Sequence, residues 1–268
     1  MDALSAFRVD RSEPLGLWTG SNEPPASDPD LRALRFEFSS RGDRVPGRLW
    51  LPPSGEEPHP LILLQHGLGG SKEAPYLDAT AGPWVRRGVA VASIDFPLHG
   101  DRSDAKLTRR FASKLDSTAE PDPASQSFVA SFLHQSVIDL QRAVDAVAGM
   151  PIIDESRIAY AGFSLGSIVG ATFCSVDPRP RAAALALGGG GFGPPEVDPV
   201  RYVGGIAPRP LLLVNVIDDA TMPRAASQAL FEAAGEPKEL LWFEGTHTQL
   251  PGRALKAMWQ FLRVHLSH

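Results

Sequence analysis

Cysteine is nearly absent from this sequence: Cys174 is the single one in 268 residues. An internal disulfide is thereby excluded, and a reducing compartment fits. Long apolar runs are lacking too, and none approaches the ~18 residues of a membrane span. The opening MDALSAFRVDRSE carries nothing like the apolar h-region of a secretory signal, so a cytoplasmic location is expected. Positive charge is not in excess, with 26 Lys and Arg against 31 Asp and Glu, a net charge of −5. No run of Lys or Arg offers a local footprint for nucleic acid or an anionic membrane, so neither is an expected partner. No internal repeat is visible. What is present is a globular composition: 43% of residues are hydrophobic, enough for a sizeable core, and 21% are charged, too few for a disordered chain.

The first thirty residues are polar and bear several prolines (SEPLGLWTGSNEPPASDPD), and they read as an N-terminal arm. Leu17 and Trp18 suggest that it packs somewhere. Residues 34–38 alternate apolar and polar, and after the turn RGDRVPG residues 48–51 form a second run, so the two predict a hairpin. The later runs, 61–65, 89–94, 158–161, 183–187, 211–216 and 240–243, are continuous, as suits strands buried on both faces of a parallel sheet. Helical patterns lie at 74–87, 126–148, 165–176, 224–234 and 253–265. Alternating strands and helices predict a single three-layer α/β domain over 31–268, with eight strands, mostly parallel, and helices on both faces. One charged, loop-rich insertion at about 97–125 follows the fourth strand.

Within this pattern the stretch Gly162-Phe163-Ser164-Leu165-Gly166 joins a buried strand to an apolar-faced helix. A turn this sharp forces its middle residue into a strained conformation, and small flanking residues relieve the crowding. The Ser164 hydroxyl then stands clear at the sheet edge beside a helix N-terminus, with the Leu165 N–H placed to meet an oxyanion. A serine hydroxyl is a weak nucleophile near neutral pH and needs a base, which needs a carboxylate. His247, in the loop EGTHTQLP, is the single histidine between Ser164 and the last helical pattern. The acid lies in the loop IDDATMP. Asp219, four residues before Pro223, is favoured over its neighbour Asp218.

These residues resemble the α/β-hydrolase superfamily from about residue 34 to the C-terminus. GFSLG is similar to its nucleophile elbow, DDATMP to its acid loop and GTH to its histidine loop. LLQHGLGGSKE resembles its oxyanion loop, and IDFPLHGDRS the loop after the fourth strand. The hairpin, RVPGRLWLP and the long helix look most like the dienelactone-hydrolase and prolyl-oligopeptidase-like esterases. Dienelactone hydrolase itself carries cysteine where this elbow carries Ser164. The resemblance implies a serine esterase without cofactor, and it assigns the second oxyanion N–H to Leu68. His66 reads as a brace of that loop rather than a base. No clustered ligands suggest a metal.

The expected activity is hydrolysis of small, neutral, fairly apolar carboxylic esters. Thioesterase, lactonase, small peptidase and acyltransferase chemistry would use the same three residues. A non-catalytic binding protein would not need all of them. Candidate substrate contacts are His99, Phe128, Phe132, Phe192 and Met222. Four glycines in LGGGGFGPP make a closely approached backbone beside Phe192. The charged insertion lacks a continuous apolar stripe, which predicts short acyl chains. Homo-oligomerisation is left open by the sequence.

Overall fold

A computed structural model describes residues 3–25, 28–53, 58–115 and 122–267. In chain order its strands are β1 (Trp18–Asn22), β2 (Arg32–Ser40), β3 (Asp43–Leu51), β4 (His59–Gln65), β5 (Ala90–Ile94), β6 (Ile153–Phe163), β7 (Pro180–Ala186), β8 (Leu211–Val216) and β9 (Lys238–Phe243). The helices are α1 (Pro75–Val85), α2 (Ala105–Leu115), α3 (Pro123–Ala148), α4 (Leu165–Val176), α5 (Arg224–Ala233) and α6 (Gly252–Leu266).

The nine strands form one sheet in the order β1-β2-β3-β5-β4-β6-β7-β8-β9. β1, β2 and β3 run antiparallel to their neighbours. From β5 to β9 every pairing is parallel. The continuous apolar runs are buried as expected: every residue of β5 and of β8 is inaccessible. Each strand faces two cores because side chains alternate. Leu61 and Leu63 of β4 join α3 and α4 in one core, and Ile62 and Leu64 join α1 and α6 in the other.

Two differences from the sequence expectation stand out. Among the described residues the sheet has nine strands rather than eight, because the arm contributes β1, with Trp18 opposite Glu37. β1 is exposed along almost its whole length, so its sequence shows no periodicity. An edge strand of this kind is recruited by backbone hydrogen bonds, to which Asn22 adds its side-chain oxygen, accepting from the Ala33 N–H at 2.8 Å. Trp18 is not packed away, at 51% exposure. The arm's anchor is instead Phe7, whose ring meets His134 and Tyr202 edge-on at 5.0 and 5.2 Å and whose carbonyl accepts from Gln141. The second difference is α2, a helix inside the insertion read as loop-rich. Asp104 opens it, its carboxylate accepting from the N–H groups of Lys106 and Leu107 at 3.0 and 2.8 Å. Residues 116–121 of that insertion lie outside the described residues.

Candidate active site

Because β4 to β9 are parallel, the loops that follow them open at one edge of the sheet, and the candidate site lies there. β6 is central, paired to β4 and β7, and it ends directly in Ser164. Ser164 has φ +50° and ψ −110°, a region that L residues rarely occupy. The flanking glycines make this turn sterically possible. A Cβ on Gly162 would meet the Gly166 carbonyl oxygen at 2.4 Å, and a Cβ on Gly166 would meet that of Gln65 at 2.7 Å. The strained residue is also held by its own backbone, with its N–H donating to the Ala186 carbonyl at 2.8 Å.

Loops after β8 and β9 bring the two partners. His247 Nε2 lies 2.9 Å from Ser164 Oγ. His247 Nδ1 lies 2.8 Å from Asp219 Oδ2 and 3.0 Å from Oδ1. The Asp219 carboxylate is itself held, since Oδ1 accepts from the N–H groups of Thr221 and Met222 at 2.9 and 2.7 Å. Its side chain is 5% exposed and that of His247 15%. Asp218 is exposed, and only its backbone joins the loop, donating to Gly245 O at 3.3 Å. Of the two adjacent aspartates it is thus Asp219, the one that sequence spacing favoured, whose carboxylate meets His247.

The loop after β4 passes close over the serine. A Cβ on Gly67 would sit 3.3 Å from Ser164 Cβ. Leu68 and Leu165 both border the same cavity as Ser164. Leu165 opens α4, and first-turn N–H groups have no partner inside their helix. Tyr76, which no sequence pattern pointed to, steadies this loop: its hydroxyl accepts from the Gly67 N–H at 2.9 Å. Beneath it Lys72 is fully buried, its Nζ within 2.9 Å of Asp95 and 2.8 Å of Asp101. Burial opposes that charge, but the two carboxylates outweigh it and raise the lysine pKa.

His66 is fully buried and stands apart from the serine's bonds. Its Nε2 accepts from the Phe96 N–H at 3.3 Å, which leaves the proton on Nδ1, 2.8 Å from the Gly67 carbonyl. Both ring nitrogens are thereby used as a brace by a neutral imidazole. Burial pushes its pKa from 6.5 down to about 4. Between those values the unfolded chain binds more protons than the folded one, so stability falls as pH drops through that window. His99, also lowered by burial, acts in the same direction. NMR of the imidazole nitrogens is expected to show His66 neutral and Nδ1-protonated from pH 7 down to about 5. An imidazolium signal at pH 6 would contradict this account.

Ser164 and His247 open onto a cavity of about 860 Å³. Of the expected contacts, Phe192 and Met222 line it, whereas His99, Phe128 and Phe132 do not. His99 sits behind the loop, with Nδ1 2.8 Å from Pro97 O and its ring against His66. On α3 the facing side chains are Val129 and Leu133, one position around the helix from Phe128 and Phe132. Phe132 packs instead on Phe111 of α2, ring centroids 4.0 Å apart, and Phe111 reaches the cavity. Among the described residues no three His, Cys, Asp or Glu gather as metal ligands, and no helix is long and apolar enough to cross a membrane.

The family model described as acetyl xylan esterase (AXE1) matches residues 27–187, a stretch that includes Ser164 and ends before Asp219 and His247. Esterase FrsA of Yersinia enterocolitica is 28% identical over 158 residues, covering 59% of this chain and 32% of that protein. The chain thus spans about a third of the length of the curated relatives it matches. Among solved structures, a cold-adapted esterase from an Arctic intertidal metagenomic library superposes with a TM-score of 0.70 at 24% identity, covering 93% of this chain and 99% of that one. The acetyl xylan esterase of Paenibacillus sp. R4 gives 0.74 at 19% identity, covering 98% and 92%. The α/β hydrolase GrgF of Penicillium sp. sh18 gives 0.67 at 17%, covering 88% and 99%. These likenesses establish an α/β-hydrolase fold.

Proposed function

The chain belongs to the acetyl xylan esterase (AXE1) family, and from that premise we propose that it is a serine carboxylesterase, cleaving neutral small-molecule esters through an acyl-enzyme. One observation carries the reading: the unbroken hydrogen-bond chain from Asp219 through His247 to Ser164. A binding protein would gain nothing from aligning these three groups across three loops. Acetyl esters of a polysaccharide, the class in the family's description, fall within this chemistry.

His247 holds its Nδ1 proton toward Asp219 and turns the lone pair of Nε2 toward Ser164 Oγ. As Oγ attacks the ester carbonyl, Nε2 takes its proton, and Asp219 stabilises the imidazolium. The carbonyl oxygen becomes an oxyanion, received by the N–H groups of Leu165 and Leu68. Collapse expels the alcohol, protonated by His247 Nε2. Water then attacks the acyl-enzyme, giving its proton to His247, and Ser164 regains one as the acid departs.

The same reading includes a single hydrolase domain over residues 31–268 and a cytoplasmic location, supported by a lone and buried cysteine. The test is an active-site phosphonylation. A fluorophosphonate is expected to label the purified protein at Ser164, located by mass spectrometry, and His247→Ala should suppress the label. Labelling of another serine, or none at all, would overturn the mechanism.

A further inference from the structure

The cavity beside Ser164 lies across the sheet edge, so it draws on both cores. On the side of α3 it is walled by Phe111, Val129 and Leu133, and on the side of α1 and α6 by Phe163, Leu250 and Leu255. Ser164 stands between these two apolar lobes, and an ester likewise has two substituents flanking its carbonyl. From this we infer that the natural substrate is a neutral ester with apolar groups on both sides of the scissile bond, larger than acetyl on the acyl side, and not an acetylated saccharide. This inference rests on the serine-esterase reading above.

Three features carry it. First, the lining holds no Asp, Glu, Lys or Arg. Besides Ser164 and His247 its polar side chains are Tyr76, Thr80, Thr221, Thr248 and Gln249, all neutral; Thr80 donates to the Tyr76 carbonyl at 2.7 Å, and the Tyr76 hydroxyl accepts from the Gly67 N–H. A sugar ring presents several hydroxyl groups, and each one buried without a partner costs binding. Second, the volume of about 860 Å³ lies toward the upper end of the ~300–1,000 Å³ that holds drug-sized ligands, far beyond an acetyl group's need. Third, the wall under α2 and α3 is held in place. Gly193, at φ +84°, brings its loop against α3 so tightly that a Cβ there would lie 3.0 Å from Val129 and 3.2 Å from Leu133.

The sequence expectation of short acyl chains rested on the charge of the insertion. Lys106, Arg109 and Arg110 are exposed on α2, whereas Phe111 is buried at 1% exposure. Among the described side chains of α2 the charges therefore lie on the outer face, and Phe111 faces inward.

The experiment measures kcat/KM for nitrophenyl acetate, butyrate, hexanoate and octanoate. Each methylene entering the apolar lobe should raise kcat/KM by about fourfold until the lobe is full. Hexanoate is then expected to exceed acetate by about tenfold or more. Val129→Phe fills that lobe and should lower the hexanoate-to-acetate ratio. Leu133→Phe does the same should the first variant not fold. For the alcohol side, benzyl acetate should be cleaved about tenfold faster than a mono-acetylated methyl xyloside, although the sugar alkoxide is the better leaving group. Fluorophosphonate labelling of Ser164 separates a wrong substrate class from a wrong mechanism. Labelling together with a maximum on acetate, or with preference for the xyloside, overturns this inference alone. No labelling and no turnover of any ester overturns the esterase reading and this inference with it.

Discussion

Replacing Ser164 by alanine is expected to lower kcat on a nitrophenyl ester by about 10⁵- to 10⁶-fold while leaving the fold intact. The loss is large because the three groups act as one unit. Without Oγ, His247 has no proton to accept, and the attacking atom itself is gone. The fold should survive because alanine keeps the Cβ that the turn already accommodates at φ +50°, so backbone strain is neither added nor relieved. What disappears is one hydrogen bond, 2.9 Å long and partly buried. Its net worth is about 1 kcal/mol, and the imidazole can turn to water in its place. Steady-state kinetics beside a thermal melt decides the matter. A variant with near-normal turnover, free of wild-type contamination, would end the serine mechanism.

Asp219→Asn is expected to reduce kcat by about 10⁴-fold. An asparagine amide has nearly the same shape and could still occupy the site formed by the N–H groups of Thr221 and Met222. It carries no charge to stabilise the imidazolium, and its NH2 can donate to Nδ1. That donation favours the tautomer with the proton on Nε2, which cannot accept one from Ser164. Asp218→Asn should change kcat by less than about threefold, as surface substitutions usually do. The exposed Asp218 side chain can change while the backbone bond to Gly245 remains. The contrast between adjacent positions tests position rather than charge, since both variants lose one negative charge. Equal losses, or the greater loss at Asp218, would overturn the assignment of the acid.

The parts of this protein that were legible in the sequence are those where a local rule admits few alternatives. Helix α4 was expected at 165–176 and occupies Leu165–Val176, because the elbow starts it sharply and its apolar spacing is regular. The parallel strands announced themselves as continuous apolar runs, since a strand covered on both faces has no polar side. Ser164 and His247 were singled out by their places after strands. The expectation of eight strands failed at β1, whose exposed residues leave no pattern to read.

Chain order alone could not decide which side chains meet at the cavity. Phe128 and Phe132 lie next to Val129 and Leu133 in sequence, and both pairs recur at helical spacing. Only the packing of α3 against α2 and the 187–193 loop turns the smaller pair toward Ser164 and the aromatics toward Phe111. Tyr76 reaches Gly67 because α1 folds back beneath the oxyanion loop, a contact that spans nine residues and has no periodic signature. The sequence by itself determined the proposed chemistry, because a nucleophile, a base and an acid must be particular residue types at strand ends. Tertiary structure decided the shape and polarity of the space around that chemistry, because a pocket wall is made by whichever faces remain after several helices have packed.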